Sequence, residues 1–175
     1  MKKNIALLLW SAALLTSLSA CFRHAKKTEV PAAPPVAEVS TTPSNPVVVL
    51  FYERTPCFGM CPSFNLTVYS NGKATYEGKN FVDHIGFYQS QWDATALQNI
   101  MTAAEKINYF SLADRYDQQG VTDLPTVRTR LLKDGNLKEV ANRYKGPKEL
   151  QSLYQVIDDQ IKLSEWKPIV FENKQ

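Results

Sequence analysis

The stretch Cys57-Phe58-Gly59-Met60-Cys61-Pro62 places two cysteines in a tight loop between two apolar segments. Residues 47–52 before the loop read Val-Val-Val-Leu-Phe-Tyr, and this β-branched and aromatic run predicts a buried strand. Residues 64–69 after the loop alternate apolar and polar side chains, which is the pattern of a half-buried strand. Because proline lacks a backbone donor, Pro56 and Pro62 favour a loop over a strand ladder. We therefore expect the cysteine loop at the head of a hairpin.

Two turn motifs predict hairpins further along the chain. Ser70-Asn71-Gly72-Lys73 predicts a type I′ turn, since Asn and Gly tolerate the positive φ that both central positions require. Asp134-Gly135 marks the turn of a second hairpin. The strands that flank or follow these turns are predicted at residues 74–78, 85–91, 126–133 and 137–144, and residues 113–125 are predicted as a polar loop closed by Pro125.

Two amphipathic helices complete the predicted domain. Asp93 or Ser90 can cap the first helix, and Gly146-Pro147 opens the second with proline in the first turn, where its missing N–H costs nothing. The apolar positions that recur at helical spacing are Leu97, Ile100, Met101, Ala104 and Ile107 in the first helix, and Leu150, Leu153, Tyr154, Ile157 and Ile161 in the second. The order of strands, helix, hairpin and helix predicts an α+β fold, an antiparallel sheet of hairpins with two helices packed on one face.

The charge distribution argues against nucleic-acid binding. The formal charge of the whole chain is +3, but residues 47–175 contain fifteen Lys and Arg against fifteen Asp and Glu. The positive excess lies entirely upstream of the predicted domain. A neutral domain has no electrostatic footprint for a phosphate backbone, so we expect no nucleic-acid partner.

The N-terminus has the features of an export signal. Lys2 and Lys3 precede an apolar segment, residues 5–15, that is too short to span a bilayer. Leu18-Ser19-Ala20-Cys21 resembles the bacterial lipobox, and the resemblance implies that residues 1–20 are a lipoprotein signal peptide and that Cys21 carries the lipid. The alternative is an ordinary secretory signal that is cleaved after Ala20. Both interpretations predict export to an oxidising compartment.

The lipobox resemblance also implies a location. Phe22 follows the cysteine where an Asp would be associated with inner-membrane retention, so we expect the protein in the outer membrane, facing the periplasm. Residues 21–46 include five prolines and are expected to form a tether, which at ~3.1 Å per residue could extend roughly 80 Å. A single α+β domain is expected at residues 47–165, followed by a C-terminal tail at residues 166–175.

The run Arg54-Thr55-Pro56-Cys57-Phe58-Gly59-Met60-Cys61-Pro62 resembles the signature of an uncharacterised bacterial family, a domain of unknown function often found in lipoproteins. Phe64 stands where Tyr would be expected. Weaker features that fit the same family are Asn71-Gly72, Tyr76-Glu77-Gly78, Phe110-Ser111-Leu112 and Thr122-Asp123-Leu124-Pro125-Thr126. The resemblance implies one compact domain over residues 47–163, and it brings no activity, ligand or catalytic residue with it.

The cysteine pair has three possible uses. A structural disulfide between Cys57 and Cys61 suits an exported domain, and it would pin an irregular turn in which Gly59 supplies backbone freedom. A thiol–disulfide exchange site would need a helix N-terminus or a cation beside the cysteines, and Arg54 is the only cation nearby in sequence. A copper site would combine the two thiolates with Met60 and His84, because soft ligands suit Cu(I).

An enzymatic function is not expected. His84 is the only histidine in the predicted domain, so no Ser, His and Asp set can be assembled. Three acids of the polar loop could form a carboxylate pair, but acids in such a loop are usually solvated. Four tyrosines of the strands could form an exposed binding face, but tyrosines of a sheet usually cover it. The residues are Asp114, Asp117 and Asp123 in the loop, and Tyr52, Tyr69, Tyr76 and Tyr88 in the strands.

We therefore expect a non-enzymatic binding or structural module with no cofactor and no bound metal. It would contact the membrane through its N-terminal lipid and an envelope protein through its domain. The alternative is a periplasmic thiol-redox or copper-handling protein that uses Cys57 and Cys61.

Overall fold

A computed structural model describes residues 45–171 of the chain. Cys21, the signal peptide and most of the tether lie outside this range. The elements are β1 (Val48–Arg54), β2 (Ser63–Tyr69), β3 (Lys73–Asn80), β4 (Gly86–Gln91), α1 (Ala94–Lys106), β5 (Arg115–Tyr116), β6 (Val127–Lys133), β7 (Asn136–Asn142), α2 (Leu150–Leu163) and β8 (Lys167–Pro168).

The strands form one sheet in the order β5-β7-β6-β1-β2-β3-β4-β8. Neighbouring strands are antiparallel except β5 and β7, which are parallel. With its two α-helices, this sheet confirms the predicted α+β class. β1 lies at the centre, and its last residue, Arg54, is opposite Phe64 of β2 and Val127 of β6. Ser63 in turn pairs with Asn80, so the cysteine loop and the β3–β4 connection lie at the same end of the sheet.

The two predicted hairpins form, but they differ in turn geometry. Asp134 and Gly135 have φ values of 49° and 76°, so they make the two-residue turn with positive φ at both positions. In the first hairpin only Gly72 has positive φ, 81°, and its N–H donates to the carbonyl of Tyr69. The predicted type I′ turn at Asn71-Gly72 is therefore wrong. The loop has three residues and a left-handed glycine at its end, which also reverses the chain between twisted strands.

The first helix begins where the sequence predicts it. The Asp93 side chain accepts a hydrogen bond from the Ala96 N–H at 2.7 Å and caps α1. The second helix begins later than expected, at Leu150. Its N–H donates to the carbonyl of Pro147, so a tight turn of the i→i+3 type precedes the helix and Pro147 lies ahead of it.

Two short strands were not predicted. β5 falls within the expected polar loop 113–125, and β8 falls within the expected tail after residue 165. Each has two residues, which is too short for a periodic pattern to show. Their partners, β7 and β4, lie far from them in sequence, so only the folded chain reveals the pairing.

One hydrophobic core joins the sheet to both helices, which lie on the same face. The core takes inward residues of β1, β2, β3, β6 and β7 together with the apolar stripes of α1 and α2. Tyr52 and Tyr76 belong to it, so the four strand tyrosines do not make an exposed binding face. Among the residues that the structure describes, no helix is long and apolar enough to cross a membrane.

Candidate functional site

The cysteine loop connects β1 to β2 and is closed by a disulfide. Cys57 and Cys61 form a disulfide with a Cα–Cα distance of 5.7 Å, the pairing that the structural interpretation predicts. Between them, Phe58 is 93% exposed and Met60 is 83% exposed. Gly59 does not have a positive φ, so the loop does not use the backbone freedom that glycine was expected to supply here. The staple holds two large apolar side chains in solvent.

Two hydrogen bonds tie the base of this loop to Thr126, which lies 71 residues further along the chain. The Thr55 N–H donates to the Thr126 carbonyl at 3.0 Å, and the Thr126 N–H donates to the Thr55 hydroxyl at 2.8 Å. The base of the disulfide loop is therefore anchored on the segment that leads into β6. Three of the sequence features that resemble the uncharacterised family, at 54–62, 76–78 and 122–126, converge at this end of the sheet.

The β3–β4 connection lies beside the loop and depends on a close backbone approach. The carbonyl oxygen of His84 passes so near Gly78 that a Cβ at this position would collide with it. Phe81 takes a left-handed conformation with φ of 54°, which is uncommon for a bulky residue and costs of the order of 1 kcal/mol or more. Its ring is 57% exposed, so the strain presents an aromatic side chain to solvent.

A polar cluster ties the end of β1 to α2. The Arg54 guanidinium donates from Nη2 to Asp158 Oδ2 at 2.6 Å and from Nε to the Tyr52 hydroxyl at 2.9 Å. The Tyr52 hydroxyl donates to Asp158 Oδ1 at 3.1 Å, which closes the triangle. Burial raises the pKa of Asp158, although the charge of Arg54 and the hydrogen bond from Tyr52 oppose the shift. Burial also raises the pKa of Tyr52 well above its ordinary value, so this hydroxyl stays protonated.

The β3–β4 connection and the polar cluster line a cleft of about 370 Å³ between the sheet end and α2, and Pro62, directly after the disulfide loop, lies in its wall. Aromatic and aliphatic side chains form part of its wall, and the polar groups of Arg54, Asp158 and the β3–β4 connection face it. The lining residues are Arg54, Pro62, Phe64, Tyr76, Phe81, Val82, Asp83, His84, Gln155, Asp158, Ile161 and Lys162. Its volume is near the lower end of the range for ligand pockets, and the exposed loop residues Phe58 and Met60 lie on the adjoining loop.

A larger groove of about 690 Å³ lies between β4, α1 and the end of α2. Its lining is mostly polar side chains, among them Gln89, Asn99 and Gln160. Its charged lining includes Asp93, which caps α1, but none of its lining residues has a left-handed backbone. The cleft beside the disulfide loop combines an ion pair, Arg54 with Asp158, with the left-handed Phe81, and we regard it as the candidate site.

The residues proposed for redox or metal chemistry are placed differently from one another. Arg54, the cation nearest the cysteines in sequence, is bound to Asp158 and Tyr52. The chain leaves Cys61 and enters β2, so no helix begins at the cysteine loop. His84 lines the cleft and packs its ring on Tyr88 at 5.0 Å between centroids. Within residues 45–171, no group of three or more His, Cys, Asp or Glu side chains is arranged to hold a metal ion.

The three loop acids are not assembled into a carboxylate pair. Asp114 pairs with Lys138, and Asp117 pairs with Arg115 and Arg143, the latter at 2.7 Å. The Arg115 side chain and then Arg143 hold the pKa of Asp117 below its usual range. Asp123 accepts a hydrogen bond from the neighbouring Thr122 hydroxyl. Asp114 and Asp117 therefore link the ends of β5 to Lys138 and Arg143 in and after β7.

Sequence reasoning missed Asp158 and Phe81 as site residues. Asp158 lies four residues after Tyr154 and three before Ile161, so it falls on the apolar stripe of α2. An acid at such a position is a detectable signal, because a buried charge requires a partner. No turn motif in the sequence marks Phe81 as a left-handed residue.

The fold and the cleft define a small α+β domain with a disulfide-stapled loop beside a ligand-sized cleft. The sequence model of the family described as a domain of unknown function (DUF6438) matches residues 48–161, and the chain belongs to this family. The resemblance to an uncharacterised domain is confirmed at that level. No curated protein matches the chain significantly.

Proposed function

We propose that this protein is a non-enzymatic binding module of the bacterial cell envelope. A lipid on Cys21 holds it at the membrane, and residues 21–46 act as a tether. An envelope protein docks on the disulfide loop and the rim of the adjoining cleft. The observation that carries the proposal is the exposure of Phe58 and Met60 on a loop that the Cys57–Cys61 disulfide constrains.

The energetics of interfaces support this use of the loop. An exposed aromatic ring and a methionine have no stabilising role in the isolated domain, whereas such residues are enriched in the cores of interfaces. Because the disulfide restricts the loop before any partner arrives, less conformational entropy is lost on docking. Phe81 adds a third exposed apolar side chain at the cleft. Phe58, Met60 and Phe81 are therefore apolar contact residues with polar groups around them, an arrangement that is common in binding hot spots.

The same contacts favour binding over catalysis. The polar residues of the cleft hold one another in place: Arg54 and Tyr52 occupy both oxygens of Asp158. The carboxylates of Asp114 and Asp117 are engaged by cations outside the cleft. Copper or thiol exchange remains the alternative outcome of the tests below, since both sulfurs and Met60 lie in one exposed loop.

Photo-crosslinking in living cells tests the docking surface. A benzophenone amino acid replaces Phe58 in one variant and Leu137 in a matched control, which is also exposed but lies at the far end of the sheet beside the Asp134-Gly135 turn. We expect one discrete adduct with an envelope protein from position 58 and none from position 137. The adduct should disappear when Met60 is replaced by serine. Equal crosslinking from both positions, or none from position 58, would contradict the proposal.

Metabolic labelling with an alkyne fatty acid tests the anchor. We expect Cys21→Ser to abolish the label and to release the protein from the membrane fraction. A Cys57→Ser/Cys61→Ser double variant should keep the label, and it controls for the loss of thiols in general. A labelled Cys21→Ser protein would contradict the lipoprotein assignment.

A further inference from the structure

Arg54 has hydrogen-bonding capacity that the fold does not use. A guanidinium carries five N–H donors, and Arg54 uses only Nε and one donor of Nη2 on Tyr52 and Asp158. Both donors of Nη1 lack an acceptor within residues 45–171. The Arg54 side chain is 27% exposed and lines the cleft. Its position is fixed by two bonds, so its remaining donors are oriented before a ligand arrives.

Tyr76 supplies another donor to the same space. The residue is only 4% exposed, and its ring stacks between Phe64 and Trp166 with centroid distances of 5.2 Å. Its hydroxyl bonds to no described residue, yet it is not among the fully buried unpartnered atoms. Tyr76 also borders a smaller groove, but the charges that act on its hydroxyl are those of Asp83 and Asp158, which both line the cleft, so we place the hydroxyl at the cleft. Burial raises the pKa of Tyr76 to about 12, and the charges of Asp83 and then Asp158 contribute, so the group remains a donor.

The charges of the cleft select among oxyanions. The lining contains two cations, Arg54 and Lys162, and two carboxylates, Asp83 and Asp158. The charge of Asp158 is largely neutralised by Arg54. Lys162 lies at the rim, and its nearest carboxylate oxygen is Asp159 Oδ1 at 4.0 Å. A dianionic phosphate would find donors but no net positive charge. A single carboxylate needs a forked donor and a hydroxyl, which the cleft provides without a large charge excess.

The apolar wall and the size of the cleft restrict what carries the carboxylate. Phe64, Phe81 and Ile161 provide contact for an apolar side chain. A volume of about 370 Å³ has room for a chain end and too little for a long segment. In a carboxy-terminal residue, the carboxylate and the side chain belong to the same unit and enter together.

We propose that the cleft captures the carboxy-terminal residue of the docked protein, with its carboxylate on Arg54 and the Tyr76 hydroxyl and its apolar side chain against Phe81. This inference rests on the proposed function and names the feature of the partner that the site recognises. Asp83 at the rim disfavours a partner with a second negative charge near its end. Phe58 and Met60 contact the partner outside the cleft.

N-acetyl-phenylalanine and N-acetyl-phenylalaninamide test the inference, because the two probes share an apolar body and differ in the carboxylate. Each is titrated into the purified full-length protein and followed by ¹H–¹⁵N NMR. We expect the acid to bind with shifts at the cleft residues, and the amide to bind about tenfold more weakly or worse, since a charge-assisted hydrogen bond is lost. Equal affinity of the acid and the amide, or no binding of the acid, would overturn the inference.

Three variants locate the carboxylate. Arg54→Lys should weaken binding of the acid about tenfold, because lysine lacks the fork. Tyr76→Phe should weaken it roughly three- to tenfold by removing one donor, and Asp83→Asn should strengthen it about two- to fivefold by removing a rim repulsion. None of the three should change the affinity for the amide.

Thermal melts show which variants retain the fold, and Tyr76→Phe with Asp83→Asn decides the question if Arg54→Lys does not fold. Unchanged affinity in these variants would overturn the inference. If position 58 still crosslinks to the partner but the cleft does not bind the carboxylate, the inference is overturned and the proposed docking function stands.

Discussion

Arg54 at the end of β1 and Asp158 on α2 are 104 residues apart in sequence, and their Nη2 and Oδ2 atoms lie 2.6 Å apart. The pair connects the central strand to the second helix at the mouth of the candidate cleft. Each side chain is about a quarter exposed, so the contact is partly shielded from water. A charge in such a position is costly when its partner is removed.

Arg54→Ala should therefore destabilise the fold by about 2 kcal/mol, as it leaves Asp158 half-buried without a cation. The double variant Arg54→Ala/Asp158→Ala should lose less than the sum of the two single variants, by about 1 kcal/mol. Lys162→Ala, which removes an exposed contact at 4.0 Å, should change stability by less than about 0.5 kcal/mol and serves as control. Urea unfolding measures the wild-type protein, the two single variants, the double variant and Lys162→Ala. An Arg54→Ala variant as stable as Lys162→Ala would show that the pair does not hold α2.

The Cys57→Ser/Cys61→Ser double variant should fold but lose about 2 kcal/mol, because the staple closes a loop of only five residues. For a domain of this size we expect the melting temperature to fall by roughly 5–10 °C. Intact mass should show a two-hydrogen deficit in the wild-type protein that persists in mild reductant. An unaltered melting temperature together with easily reduced thiols that take up Cu(I) would support the copper or redox alternative, and His84 would be the next residue to replace.

Stability should fall in alkaline solution because burial raises the pKa of Tyr52, Tyr76, Tyr109 and Tyr154 above the ordinary value. A raised pKa in the folded state means that the unfolded state loses the proton first. The contribution is therefore fully present below pH 10 and is lost as the pH rises from 10 toward 12, the pKa of Tyr76. Each such tyrosine lowers the free energy of unfolding by about 1.4 kcal/mol per pH unit in this range.

Melting temperatures from pH 8 to 11, together with tyrosinate absorbance, measure the effect. Tyr76→Phe should make the fall of the melting temperature with pH shallower. A flat profile would show that these hydroxyls ionise freely in the folded protein.

Gly78→Ala should destabilise the domain by roughly 2–4 kcal/mol, because its Cβ would collide with the backbone of His84 and force the β3–β4 connection outward. Gly59→Ala is the matched control in the disulfide loop. Its φ is not positive and its Cβ would meet only Cys57 Sγ, at 3.8 Å, so its stability should change by less than about 0.5 kcal/mol. Thermal unfolding compares the two, and the ring resonances of His84 should shift only in Gly78→Ala. Equal effects of the two substitutions would contradict the close approach.

The polar cluster shows why the site was harder to predict than the fold. The alternation of Phe64, Leu66 and Val68 predicted β2 because strand periodicity repeats within a few residues. No local pattern connects Arg54 with Asp158, since strands and helices are recognised from neighbours in sequence while this pair forms across the core. The turn at Asn71-Gly72 failed for a related reason: the dipeptide permits more than one loop, and the pairing of β2 with β3 selects the three-residue form.

The sequence by itself determined the α+β class, the apolar stripes of both helices and the strands of the main hairpins, but not the start of the second helix or the geometry of the first turn. It could do so because apolar periodicity, capping residues and turn residues act over short distances. The tertiary structure alone decided that the strained Phe81 and the Arg54–Asp158 pair line one cleft, next to the disulfide loop. Residues from β1, β2, β3, the β3–β4 connection and α2 meet there only after the sheet has formed and the helices have packed on it. Hydrophobic burial, which is not specific to any residue pair, brings these segments together.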